Sequence, residues 1–429
     1  MGEHLTGMVL IEDMTAAEQE RARRVEGVLP ALRARAEAAD AAGRFPQDNI
    51  ATLRAAGLLG LIVPTDYGGL GGGLRDLVAA AFALGTACPS TALAYFFHCS
   101  SASRGLLPLE ALEAGLFTPD EAPVVRAFAE RLLHKMGTDG RWLANFASEQ
   151  AKTAASAVTI ATEARAAAGG WRLSGVKSFG CSTGVADEYL VTAKLAGTTT
   201  ADGLCVFFVD RAAAGVRERA PWEALGMRAT ATHGLILEDV FVPAEAALAV
   251  PGAFVKMMQV SRGSFVGNQV AVAAIYLGVA YAVYHYALNF VSGLKFADTG
   301  ESIAAESGFH QELIGKMTVD LETGFLWLRR QVQLEASVPP LLPKPRVVAQ
   351  WRLCKGVVCD AAYAVATNAL KACGTSNTGH GGVIGRALRD LSMGLVQAFP
   401  AERGRLEAAK MLVAAGAEQA AFSTRERAQ

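Results

Sequence analysis

No C-x-x-C pair joins the seven cysteines, Cys88, Cys99, Cys181, Cys205, Cys354, Cys359 and Cys373, and their number is odd. That fits reduced thiols in a cytoplasm better than a disulfide framework or a zinc site. No excess of one charge is present: the formal net charge is -1 over 429 residues. Nucleic acid is thereby disfavoured as a partner, because phosphate binding needs concentrated Lys and Arg. The basic "RARRVEG" (Arg21 to Gly27) is brief and reads as a solvated helix face. The N-terminus lacks the basic and then apolar start of a signal peptide. No G-x-G-x-x-G follows a strand, which argues against a Rossmann dinucleotide site. From Gly263 to Leu294 there is no Asp, Glu, Lys or Arg at all. By length this run would span a bilayer. The polar Asn268, Gln269, Tyr281, His285 and Asn289 along it, and the lack of a second span, favour a helix buried inside a bundle.

What is present is an apolar-rich chain, 52% hydrophobic and 19% charged, long enough for two or three domains. From Ala16 to about Leu133 the pattern is helical. Pro46 and Asp48 mark one helix start, Gly57 a stop, and Pro89-Ser90 another start. The glycines of "DYGGLGGGLRD" read as a turn, with a phosphate cradle as the functional alternative. Near Gly140 the texture changes. "WRLSGVKSFG", "EYLVTAKLAG", "GLCVFFVD" and "GLILEDVFVP" are short runs rich in β-branched and aromatic residues, separated by turn signals. They predict a compact antiparallel β domain. After Pro251 helices resume. Leu313, Ile314, Met317, Leu321, Phe325 and Leu328 share one helical face, and "SVPPLLPKP" interrupts before another long helix. The expected plan is mixed α and β: a helical domain over 1–139, a β-barrel or sandwich over 140–250, and a four-helix bundle over 251–429.

That order, with four local motifs, resembles the acyl-CoA dehydrogenase superfamily from about Phe45 to Leu412. The motifs are "FPQDNIATLRAAGLLGLIVPTDYGGLGGG" with "CPSTALAYFFH", "GWRLSGVKSFGCSTGVADEYLV", "WEALGMRATATHGLILEDVFVP" and "CGTSNTGHGGVIGRALRD". The resemblance implies an FAD-binding enzyme, with FMN as the variant, in a homodimer or homotetramer. A flavin needs apolar packing on its ring and a few hydrogen-bonding groups at its edge. By motif position Phe179 would pack on the ring, with Cys181 and Ser182 beside it. Ser148 would meet the pyrimidine end and Gln311 the FAD diphosphate or ribose. Gly374, Thr375 and Asn377 match the turn that reaches FAD from a neighbouring subunit. The chain departs from the family at "SEQAKTAA" and at Thr375, where a second glycine is common.

The departures extend to catalysis. Removing an α-proton from a thioester needs a carboxylate in a dry site. The resemblance puts that base at one of two positions, which here hold Ala398 and Asn268. Glu402 would replace it only if the loop shifted register; otherwise it is an exposed helix-start acid. A monooxygenase branch of the superfamily keeps the fold without the glutamate and uses reduced flavin and O2. "KSFGCSTGVAD" resembles that branch, and His98 stands where some members bring a histidine toward the flavin. Ser182 and Asn268 would donate hydrogen bonds there, while His380 reads as structural. The reading is a flavin-dependent monooxygenase or oxidase acting on a small molecule or thioester, with a separate flavin reductase as partner. Its alternatives are an acyl-thioester dehydrogenase using Glu402 and a non-catalytic flavoprotein.

Overall fold

The computed structural model describes residues 5–150, 160–262 and 270–426. Six helices come first: α1 (Ala16–Ala42), α2 (Gln47–Ala55), α3 (Leu74–Ala87), α4 (Pro89–Ser101), α5 (Ser103–Glu113) and α6 (Ala122–Gly137). A capping box starts α1, where Thr15 Oγ1 accepts from the Glu18 N–H at 3.3 Å and the Glu18 carboxylate accepts from the Thr15 N–H at 2.7 Å. Gly43, at φ +60°, ends it.

Among the described residues eight strands follow: β1 (Leu143–Phe146), β2 (Glu163–Ala167), β3 (Gly170–Lys177), β4 (Glu188–Leu195), β5 (Leu204–Asp210), β6 (Val216–Glu218), β7 (Leu235–Pro243) and β8 (Ala247–Leu248). They form one sheet in the order β6-β7-β3-β2-β4-β5-β8, with β1 added beside β4. The expectation of a purely antiparallel domain is corrected here. β1 and β2 both pair with β4 in parallel (Phe146↔Val191, Ala164↔Leu195), and the remaining pairs are antiparallel. Alternation marks a strand but carries no direction, so the mixed pairing could not be read from it. In β5 six consecutive residues are buried, the pattern of a strand covered on both faces, whereas β3 alternates.

Helices then run to the end: α7 (Ala253–Val260), α8 (Val270–Ser292), α9 (Ile303–Glu306), α10 (Gly308–Ala336), α11 (Lys344–Cys373), α12 (Val383–Val396) and α13 (Ala401–Glu426). α11 packs against α8, α10, α12 and α13. The apolar face expected of α10 is buried at Leu313, Met317, Leu321, Phe325 and Leu328, with Ile314 partly buried against the same core. The segment "SVPPLLP" separates α10 from α11, as its prolines require.

Among the described residues, α8 is the one helix long and apolar enough to cross a membrane, but it is mostly buried. It crosses α3 at close range: a Cβ on Gly278 would lie 2.2 Å from the Phe82 carbonyl oxygen. Glycine therefore sets this contact, and the uncharged run reads as packing. A continuous hydrophobic core joins α1, the sheet and α12. All seven cysteines are free and buried.

Candidate functional site

A cavity of about 460 Å³ opens where the sheet meets α4, α5, α8 and α12. Its size lies in the roughly 300–1,000 Å³ span of ligand pockets. The sheet-side wall begins where β3 ends. Residues 178–183 run against the loop 230–233, with Gly180 N–H donating to His233 O at 3.1 Å and Ser182 N–H to Thr230 O at 2.9 Å. The Ser178 N–H donates to Ser148 O at 2.9 Å. This pairing brings Ser148, Phe179 and Cys181 to the cavity. Phe179 is 52% exposed, its ring edge-on to Trp222 with centroids 5.8 Å apart. Such an open aromatic face is a surface for an apolar or planar partner.

Behind Phe179 the hydroxyls have a fixed sense. Thr230 Oγ1 donates to Met227 O at 2.9 Å, so Thr232 must donate to Thr230 across 2.7 Å. The Cys181 thiol, 3.2 Å from Thr232 Oγ1, must then donate as well. Burial pushes that thiol up to about 12 and keeps it protonated.

The loop carrying Thr230 is latched to α12. Met227 (φ +51°) and Ala231 (φ +46°) are left-handed, a strained state for side chains larger than glycine. Asp390 Oδ1 accepts from the Met227 N–H at 2.6 Å, and a Cβ on Gly226 would meet the Arg389 carbonyl oxygen at 1.9 Å. Arg389 pairs with Asp40 of α1 through two hydrogen bonds, one of 3.0 Å between Nη1 and Oδ1. The Arg389-Asp390 pair thus ties all three regions together. Burial raises Asp390 to about 6, even though the Met227 N–H favours its charge.

On the helical side the wall holds Phe97, Ser100, Ser103 and Arg104 from α4 and α5, Tyr276 from α8, and Met393, Val396, Gln397 and Ala398 around the end of α12. Tyr276 OH donates to Gln397 Oε1. Ala398 is at φ +64°. The buried Lys355 ammonium braces its turn by donating to Gly394 O at 2.7 Å and Phe399 O at 2.6 Å. Among the described lining residues Arg104 is the one charged group, and none is Asp or Glu. The internal stretches outside the described residues, 151–159 and 263–269, contain no Asp or Glu in their sequence.

Several expected residues lie elsewhere. His98 does not face the cavity. Its Nε2–H donates to Leu59 O at 2.8 Å, its Nδ1 accepts from the Leu143 N–H at 3.0 Å, and its ring stacks on Trp142 at 4.8 Å. Both nitrogens are occupied, and burial depresses it to about 4. It is a neutral core histidine that ties α4 to β1. Ser182 is buried and turned from the cavity, its Oγ accepting from Trp142 Nε1–H at 3.0 Å. The Glu402 side chain is 75% exposed and pairs with Arg405 at 2.8 Å, so no register shift brings it inward. Gln311 donates to the carbonyls of Ala304 and Ala305 of its own chain. Gly374, Thr375 and Asn377 form the turn after α11, where Asn377 Oδ1 accepts from Tyr286 OH at 2.8 Å. None of these four lines this chain's cavity. Asn268 lies outside the described residues.

Sequence reading missed Arg104, Trp222, Tyr276 and Gln397. One signal for Arg104 was available: it is the single Asp, Glu, Lys or Arg between Asp76 and Glu110.

Residues 17–108, 144–240 and 270–400 match the acyl-CoA dehydrogenase N-terminal, middle and C-terminal domains. The chain belongs to the acyl-CoA dehydrogenase family of flavin-dependent enzymes. Among curated relatives, L-evernosamine nitrososynthase of a Micromonospora species is 31% identical over 62% of this chain and 60% of its own length. The chain thus spans about three fifths of that relative. YdbM of Bacillus subtilis, classed with acyl-CoA dehydrogenases, is 27% identical over 83% of this chain and 87% of its own. Among solved structures, KijD3 in complex with FMN and dTDP-3-amino-2,3,6-trideoxy-4-keto-3-methyl-D-glucose superposes with a TM-score of 0.76. It is 25% identical, with 97% of each chain covered.

Proposed function

We propose that the chain is a flavin-dependent oxidoreductase that uses reduced flavin and O2 to oxygenate a small molecule, by hydroxylation or N-oxygenation. One observation carries this reading: the described cavity wall offers no carboxylate to take a proton from carbon. The two positions expected for the base hold Ala398 and Asn268, a methyl group and a carboxamide, and Glu402 points into solvent. Losing a general base costs a factor of about 10² to 10⁴, which makes thioester dehydrogenation a poor fit.

The residues suit a flavin. Phe179 and Trp222 supply an open aromatic face, and Ser148 and Cys181 supply small polar groups beside it. Bound there, reduced flavin would supply the electrons that activate O2. Leu93, Phe97 and Met393 would exclude water from the cavity, and the Arg389-Asp390 latch would hold the Met227–Thr232 loop still. We take FAD as the preferred flavin and a separate reductase as its electron source; the lack of a strand-linked G-x-G-x-x-G supports the second point. The similarity to a nitrososynthase and to KijD3 with an amino sugar supports an amine or hydroxyl as the group oxidised. Val319 and Leu326 on α10, and Leu406 and Val413 on α13, are exposed apolar side chains that a second copy would cover.

The test pairs two assays on the purified protein. With a flavin reductase, NADH and candidate amino sugars or phenols, substrate-dependent oxygenated product is expected. With acyl-CoA and an artificial electron acceptor, no dye reduction is expected. Rapid acyl-CoA oxidation would overturn the reading. Titrating flavin-free protein with FAD and FMN, with tighter FAD expected, tests the cofactor.

A further inference from the structure

Arg104 sits at the start of α5 within the cavity wall and is only 6% exposed. Its Nε and Nη1 are buried and have no hydrogen-bond partner. The guanidinium lies over the Phe254 ring, 5.1 Å from the centroid, which compensates part of its charge but none of its N–H groups. Burial depresses it to about 10, so the group remains a cation at neutral pH, and it forms no ion pair among the described residues. A buried, unpaired cation is costly and is normally found with a partner.

We propose that the cavity selects a substrate bearing an anionic group, a carboxylate or a phosphate, and that Arg104 is the residue that recognises it. The proposal rests on the cavity's being the substrate site, as read above. The guanidinium's charge and its unfilled Nε and Nη1 donors call for an anionic oxygen acceptor. Leu93 and Phe97 in the same wall suit an apolar or aromatic body joined to the anion. A ligand of this class fills the open N–H valences, and a neutral analogue leaves them empty. The discrimination expected from one charge-assisted pair is about 10- to 100-fold.

The flavin's own phosphate has the same chemistry, so the experiment separates the two. Calorimetry on flavin-reconstituted protein compares benzoate and phenyl phosphate with neutral benzamide. Fluorescence titration of flavin-free protein compares FMN with riboflavin. Wild type is expected to bind at least one anion tenfold or more above benzamide. Arg104→Met is expected to lose that preference while its FMN-over-riboflavin ratio stays unchanged. Retained flavin binding by the variant shows that it folds. Should that variant bind no flavin, Arg104→Lys, which keeps the charge without the fork, is expected to weaken the anion and spare benzamide. The proposal is overturned if wild type shows no anion preference, or if the preference survives Arg104→Met. It is also overturned if Arg104→Lys weakens both probes equally, or if Arg104→Met weakens FMN but not riboflavin. Neither measurement involves oxygen or thioester turnover, so the oxygen-activating reading stands or falls separately.

Discussion

The two sides of the cavity are built on opposite terms. On the sheet side the described polar groups from Cys181 to Met227 form one connected, directed set, and strained residues are held by a latch from α12. On the helical side one buried cation has open N–H groups. His98 and Arg104, one near the end of α4 and the other near the start of α5, show the difference within a few residues. Both are buried and both titratable, yet His98 is fully bonded and Arg104 is not. Burial alone therefore does not mark a binding group; an open valence on a cavity-lining residue does.

That contrast is easiest to break at the latch. Asp390→Ala would leave the Met227 N–H without its acceptor and release the left-handed loop. A loss of about 2–4 kcal/mol in urea unfolding is expected, with weakened flavin binding. His98→Leu orphans the Leu59 carbonyl and the Leu143 N–H, and about 2–3 kcal/mol should be lost at pH 7.5.

The histidine also carries a pH signature. Its folded pKa, about 4, lies below its ordinary 6.5, so its stabilisation is full above pH 6.5 and is lost as pH falls toward 4. The gap between wild type and His98→Leu should therefore shrink over that window. Asp390 acts in the opposite sense: its raised pKa, about 6, adds stability as pH falls from 6 toward 3.8, and this should persist in His98→Leu. Arg104→Met sharpens the comparison from the other side. Removing an unpaired buried charge should leave ligand-free stability unchanged or higher by about 1 kcal/mol in the same urea experiment. The smallest effect is expected at Glu402→Gln, whose turnover should match wild type because its side chain is in solvent.

Much of the fold was legible. Helical periodicity placed the buried face of α10, and apolar runs placed β3, β4, β5 and β7. β2, "EARAA", was not, because alanine and charged residues carry little strand preference and only its neighbours make it a strand. Of the residues singled out by motif position, Ser148, Phe179 and Cys181 line the cavity, whereas His98 and Ser182 are bonded within the core. Which way a side chain turns from a helix or a tight loop depends on distant partners such as Leu59, Leu143 and Trp142. Arg104 escaped notice because a lone charge in an apolar helix reads equally well as one reaching for solvent.

The thiol–hydroxyl series from Cys181 to Met227 has a last consequence. Its last hydroxyl, Thr230, donates to a carbonyl that carries no proton to pass on, and its first proton belongs to a sulfur that resists ionisation. No vacancy exists through which a proton could hop. During turnover that flank of the chamber should behave as an insulator, and any proton the reaction sheds must leave by the opposite flank or with the product.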